Sequence, residues 1–171
     1  MRKQFLLTLI VALFSGFSSL AQVDKSKRVS PPAVVAQTLK KGATVTIDYS
    51  KPSVKGRNIG TDIAVYGKVW RTGANEATTF EVNKDVKVEG KTLPAGKYSL
   101  YSIPGENEWT IIFNKTWKQW GTAYKEADDQ LRVTAKPEKS EPFVEQLTFQ
   151  ISETGEVSLL WGGVKVPFDV K

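Results

Sequence analysis

The chain has 171 residues, with 24 lysines and arginines against 18 aspartates and glutamates, no cysteine and no histidine, for a formal net charge of +6. Without cysteine there are no disulfides, zinc–thiolate sites, iron–sulfur clusters or thiol nucleophiles; without histidine, the Ser-His-Asp triad and most transition-metal sites are excluded. Any catalysis would fall to Asp, Glu, Lys, Tyr or Arg, so composition favours a binding or structural role and implies no cofactor.

In chain order, Arg2 and Lys3 precede an apolar stretch from Phe5 to Phe14, and Ser19-Leu20-Ala21 forms a small-x-small cleavage site before Gln22. Residues 1–21 therefore read as an export signal. The apolar run is shorter than the roughly 20 residues a spanning helix needs, and no cysteine stands at the cleavage site to carry a lipid. The expectation is a periplasmic or secreted protein, neither inserted in the membrane nor lipid-anchored. Removal of the signal lowers the net charge from +6 to +4. The remaining positive charge is spread over Lys40-Lys41, Lys51, Lys55, Lys125 and Lys165 instead of forming a stripe, which argues against nucleic acid as a partner. Residues 22–31 are polar and charged and read as a flexible lead-in. Residues 32–171 are of a length that suits one domain.

Period-two alternation then dominates. Residues 33–39 suggest an edge strand that turns at Lys40-Lys41-Gly42. Residues 44–50 alternate strictly, with Val45, Ile47 and Tyr49 on one face. Residues 79–83 and 86–89 alternate likewise, and Asn83-Lys84-Asp85 between them predicts a tight hairpin. A turn at Leu93-Pro-Ala-Gly96 leads into a strand over 97–103, and Pro104-Gly105 begins the hairpin into 109–114. That last strand is apolar on both faces and belongs inside a sheet. A short helix is conceivable only within 117–130. Strands follow at 131–136, 146–152, 157–161 and 164–169, with Gly162-Gly163 between the last two, and Pro167 marks an edge. Nine or ten short strands in local hairpins predict an all-β, single-domain antiparallel β-sandwich, jelly-roll-like, with a closed barrel as the alternative.

The densest chemistry lies in residues 66–79, Tyr66-Gly-Lys-Val-Trp-Arg-Thr-Gly-Ala-Asn-Glu-Ala-Thr-Thr79. Trp70 brings a large ring to bury, and Arg71 a planar five-donor fork suited to a carboxylate or phosphate. Gly73 and Asn75 permit a turn with positive φ. Three readings stand. In the first, Tyr66, Lys68, Trp70, Arg71, Asn75 and Glu76 form a pocket for a small polar or anionic ligand or a glycan. Alternatively, Glu76, oriented by Arg71 and Asn75, is the acid or base of a His-free hydrolase. In the third, Arg71 and Glu76 pair with each other, and the run only braces a crossover between sheets. Elsewhere, Lys51, Lys55 and Arg57 flank Pro52 and Gly56 and read mainly as a solvated loop. Trp117 and Trp120 are candidates for a surface stacking platform, while Trp109 and Trp161 fit the core. No spacing singles out a pair of carboxylates for glycoside hydrolysis, and no dense Asp/Asn loop marks a calcium site.

The stretches 49–57 (YSKPSVKGR), 66–79, 93–100 (LPAGKYSL) and 108–114 (EWTIIFN) together resemble the domain-of-unknown-function family 2911. Ala64-Val65 departs from the apolar-Pro pair usual before the Tyr-Gly. The resemblance implies a single exported β domain from about Pro32 to the C-terminus, and it implies no activity, substrate or catalytic residue.

Overall fold

The structure, a computed structural model, describes residues 24–171. The signal read over residues 1–21 lies outside the described residues, as do Gln22 and Val23. Ten strands follow: β1 (Pro32–Thr38), β2 (Thr44–Ser50), β3 (Thr79–Val82), β4 (Val86–Val88), β5 (Lys91–Leu93), β6 (Gly96–Ile103), β7 (Trp109–Asn114), β8 (Asp129–Ala135), β9 (Glu138–Ile151) and β10 (Glu156–Asp169). The only helical turns among the described residues are two short 3-10 turns, at Lys25–Lys27 and Glu126–Asp128. The short helix considered within 117–130 reduces to the second of these.

The first layer is an antiparallel sheet in the order β1-β2-β3-β6-β7-β8. Its outer strands β1 and β8 do not pair with each other, so the sheet is open and the barrel alternative falls. The second layer holds the β9–β10 ladder and the small β4–β5 pair, joined through a Val88↔Val170 bridge. One apolar core fills the space between the layers. Alternation supplies it: Val45, Ile47 and Tyr49 from β2, Phe80 and Val82 from β3, and Trp109, Ile111 and Phe113 from β7 meet Leu147, Phe149, Leu159, Trp161, Val166 and Phe168. The fold is a β-sandwich.

Two local expectations change. Asn83-Lys84-Asp85 does not close a hairpin between β3 and β4. Val82 of β3 already pairs with Val45 on one side and Gly96 on the other, so β3 has no free edge. β4 therefore passes to the second layer and pairs with β5 through a two-residue turn, with φ of 47° at Glu89 and 78° at Gly90. Positive φ at both central residues suits the twist of a tight hairpin. The segments 157–161 and 164–169 form one strand, β10, that folds back at Gly162-Gly163. A straight strand of this length would hold its ends roughly 45 Å apart at about 3.3 Å per residue. Instead the Val170 N–H donates to the Gly155 carbonyl at 2.8 Å, and Lys165 Nζ lies 3.0 Å from Glu156. Gly162, at φ 58°, takes the bend. Pro167 lies past the last β9 pairing, Lys165↔Glu138, where its missing N–H costs no ladder bond.

The long connection between β2 and β3, residues 51–78, positions the site. It leaves the first layer, pairs with β9 through Ser53↔Gln146, and returns beside β6 at Trp70↔Ser102. It is thus a crossover between layers, held at both sides by backbone bonds: Val54 N–H to Glu145 O (2.9 Å), Leu147 N–H to Pro52 O (3.0 Å), and the reciprocal Trp70–Ser102 pair (2.7 and 2.9 Å).

Candidate functional site

The return leg of the crossover is a small loop clamped at both ends to β6. Trp70 pairs with Ser102, and Leu100 N–H donates to Thr78 O at 2.7 Å. Between these anchors the chain bulges outward. Asn75 takes the positive φ expected of it (61°), but Gly73 does not, and the second left-handed residue is Thr72 (51°). A β-branched residue in the left-handed region is strained. Thr72 is held there by its own hydroxyl, which donates to Ser102 Oγ at 3.0 Å, and by Thr78 Oγ1, which donates to the Thr72 carbonyl at 3.0 Å. Gly73 is needed for a different reason: a Cβ there would meet Thr78 Oγ1 at 2.5 Å.

A second loop, residues 115–128, packs on this bulge. Ala77 N–H donates to Gln119 O (3.1 Å) and Gly121 N–H to Asn75 O (3.0 Å). The two loops cover the outer face of β6 and β7, where Ala77, Tyr101 and Ile112 form a satellite core with Ile103 and Tyr124 packed against it. That covering explains why β6 and β7 are buried on both faces.

Where the crossover, the second loop and the bend of β10 meet, they border an open cavity of about 700 Å³ lined by residues including Arg57, Trp70, Arg71, Tyr101, Tyr124 and Trp161. The size is in the range of small-molecule sites. Trp70 stacks flat on Trp161, with centroids 5.2 Å apart and planes 4° apart, and meets Trp109 edge-on at 6.1 Å. Arg71 donates through Nε to Gly73 O at 3.3 Å. Its Nη groups have no hydrogen-bond or carboxylate partner among the described residues. Gly121 fixes the arginine stem, since a Cβ there would lie 2.6 Å from Arg71 Cδ. Arg57 is more committed, with Nε on Val54 O (3.0 Å) and Nη2 on Ser53 O (2.8 Å).

The aromatic hydroxyls of the wall are occupied. Tyr101 OH accepts from Gln119 Nε2 at 3.1 Å, and burial raises its pKa. Tyr124 OH donates to Asp129 Oδ2 at 2.7 Å and accepts from Arg132 Nη2 at 2.8 Å. Burial first, then the bond to the Asp129 carboxylate, pushes its pKa up to about 12. Both phenols stay neutral at physiological pH.

Of the six residues grouped as a pocket in the sequence, the structure brings only Trp70 and Arg71 to this cavity, where Arg57 of the basic loop joins them. Asn75 braces the loop: its Nδ2 donates to Ser30 O (3.1 Å) and Ser50 Oγ (3.2 Å). Tyr66 is 41% exposed and its ring covers Gly60, which has no Cβ to collide with it. Lys68 is exposed. Glu76 does not pair with Arg71. It accepts from Arg28 Nη1 at 2.6 Å and lies 3.1 Å from Lys25 Nζ, beside a separate cavity of about 210 Å³. The Arg28 hydrogen bond is the main cause that holds its pKa down to about 2.

That depression has a testable sign. Glu76 is deprotonated more readily folded than unfolded, so its stabilisation is present above the unfolded value near 4.5 and lost as pH falls toward about 2. Because the carboxylate is 40% exposed, solvent screening limits the effect to about 1 kcal/mol or less. Urea titrations of Glu76→Gln against the parent should show a small gap at pH 7 that closes by pH 2. A gap that widens on acidification would contradict the assignment.

Sequence reasoning missed Tyr101, Tyr124 and Trp161 as lining residues. The alternation of β6 places Tyr101 opposite Tyr98 and Leu100, a signal that it left the main core, but nothing local tells where the bend of β10 carries Trp161. Trp117 and Trp120 are 41% and 52% exposed, and Lys97 Nζ sits 5.0 Å over the Trp117 ring, which occupies part of that surface.

Comparison with curated proteins and with solved structures yields no match. A family described as "Protein of unknown function (DUF2911)" matches residues 30–170, taking in the crossover, both covering loops and the cavity they border. This β-sandwich belongs to the DUF2911 family.

Proposed function

We propose that this protein is an exported binding module, and that the cavity beneath Trp70 takes a small anionic ligand. The observation that carries this reading is the Arg71 side chain, whose Nη groups are left uncommitted at a 700 Å³ cavity with no carboxylate among its lining residues. A guanidinium in such a setting is a receptor for an anion. The strained Thr72 next to it and the close approach of Gly121 keep the arginine stem in one place before any ligand arrives, which lowers the ordering cost of binding. Export rests on the charged and apolar pattern of residues 1–21.

The hydrolase reading weakens, because Glu76 is ionised, paired with two cations and away from the Arg71 cavity. A general acid or base poised near neutral pH needs the opposite environment. The bracing reading keeps a specific basis in the hydrogen bonds of Thr72, Asn75 and Thr78, but these do not use the arginine head.

Arg71→Ala separates the two. For a binding module, the variant changes stability by about 1 kcal/mol or less, since the only protein hydrogen bond lost among the described residues is the long Nε contact to Gly73 O at 3.3 Å. It also loses the rise in Tm that organic acids or acidic sugars give the parent through preferential binding to the folded state. A loss of about 1–3 kcal/mol, with no anion raising the Tm of the parent, would favour bracing.

A further inference from the structure

We infer that the ligand class of this cavity is an organic carboxylate, held by the Nη groups of Arg71 and the indole N–H of Trp161 with its apolar body against the walls. The inference rests on the binding reading above and narrows it.

Among the described residues, no aspartate, glutamate, asparagine or glutamine side chain lines the cavity. The Tyr124 hydroxyl already donates and accepts, and Tyr101 OH is bonded to Gln119. Arg71 Nη and Trp161 Nε1 can only donate, while the Ser30 and Thr122 hydroxyls can donate or accept. A neutral sugar hydroxyl would bring a donor of its own to a site whose charged group is itself a donor. An acceptor-only head suits the site.

Trp161 is 2% exposed, and its Nε1–H is the one buried side-chain polar group among the described residues with no protein acceptor. Indole nitrogen can only donate, and buried donors in native proteins are paired with few exceptions. Trp161 lines the same cavity as Arg71 and stacks on Trp70. Protein atoms cover Nε1 in this arrangement, so a ligand oxygen would satisfy it after a small shift of the ring or its cover.

With Nε turned to Gly73 O, Arg71 keeps its two Nη groups, whose parallel N–H bonds match the two oxygens of a carboxylate. Arg57 keeps its charge but has spent Nε and Nη2 on backbone carbonyls, so it has fewer N–H groups left for the additional oxygens of a phosphate. Ile63, Ala64, Val69, Trp70 and Ala74 supply an apolar side to the cavity, and Ser30, Thr122 and the two arginines make the remainder polar. A ligand with a charged head and a compact hydrocarbon or aromatic body fits such a divided lining.

The test is a titration of the protein with benzoate and cyclohexanecarboxylate, set against benzamide, phenyl phosphate and glucose. Binding is read by calorimetry and by the ¹⁵N-indole resonances, with that of Trp161 assigned through Trp161→Phe or sequentially. The carboxylates are expected to bind at millimolar concentration or below and to move the Trp161 indole signal. Benzamide should bind about tenfold or more weakly, Arg71→Ala should lose a similar factor, and Arg71→Lys should fall between. Equal affinity for benzamide, or a saturated carboxylate complex with an unmoved Trp161 signal, would overturn the inference. Arg71-dependent binding of phenyl phosphate or glucose in preference would overturn it while leaving the binding module intact. If no probe of any class binds at millimolar concentration, and Arg71→Ala only destabilises, both fall together.

Discussion

Replacement of Phe80 by alanine is expected to lower the unfolding free energy by about 3–5 kcal/mol, the range for deleting a fully buried aromatic ring. Phe80 is 0% exposed and lies on β3, inside the six-stranded sheet. Its ring meets Phe113 edge-on at 4.9 Å and Phe168 at 6.4 Å, so it ties the first layer to the returning arm of β10. Both neighbours are held by their own strands, β7 and β10, and cannot move far into the space left behind. Such a loss is a large share of the roughly 5–15 kcal/mol that stabilises a typical domain. For a chain of this length it should lower Tm by about 10 °C. Urea unfolding followed by tryptophan fluorescence measures it directly. The control is Phe143→Ala: that ring is 61% exposed, and its removal should change stability by less than about 0.5 kcal/mol. Comparable losses from both variants would mean that Phe80 is not where the two layers are joined.

Gly155→Ala is expected to cost about 3 kcal/mol or more, although it adds a single methyl group. Gly155 sits at φ 97°, a conformation L residues rarely adopt, and forcing a side chain there costs of order 1–3 kcal/mol. The new Cβ would also collide with the Val170 carbonyl oxygen. That oxygen is not free to retreat, because Val170 N–H donates to Gly155 O and Lys171 is bonded both ways to Lys87. The substitution would therefore pry the C-terminal end of β10 from the start of the same strand and loosen its bridge to β4. Gly56→Ala offers the comparison: its φ of 70° carries the backbone penalty, but nothing lies within 4 Å of the added Cβ. It should lose only about 1 kcal/mol. Thermal unfolding of the two variants should differ by several degrees. Equal losses would show that the backbone angle alone is at stake and that the strand ends are not locked together.

The two substitutions probe features of different legibility. Phe80 stands in an alternating stretch with Val82, and a two-residue period is enough to send both toward the core. The same period located β1, β2, β6 and β7 to within a residue or two. The glycines told less. Gly162-Gly163 marks a bend, but only the closure of Val170 on Gly155 shows that the chain doubles back there. The hairpin expected at Asn83-Lys84-Asp85 failed because turn chemistry specifies that the chain reverses, and not which strand receives it; β2 and β6 had already taken both edges of β3.

The site divides in the same way. The run from Tyr66 to Thr79 stood out because its residues are costly to place on a connection unless each is satisfied. The inference that something unusual happens there needed no coordinates. Which partner satisfies each group was another matter. Arg71 and Glu76, close in sequence and opposite in charge, invited a mutual pair. The clamp at Trp70 and Thr78 and the left-handed turns at Thr72 and Asn75 instead send Glu76 to Arg28, 48 residues away, and leave Arg71 with the cavity.

The sequence by itself determined the all-β class, most of the strand positions, the absence of thiol and imidazole chemistry, and the segment in which charged and hydrogen-bonding side chains are concentrated; β5 and the first half of β9 were not legible in it. The legible features follow from composition and from a periodicity that each strand carries within itself. Only the tertiary structure decided that Trp161 and Trp70 stack, that Tyr101 and Tyr124 wall the same space, and that the ends of Arg71 and Trp161 have no hydrogen-bond partner among the described residues. Those facts depend on which distant strands and loops are brought side by side. Contacts of that kind are set by sheet order and by competition for edges, which no local stretch of residues encodes.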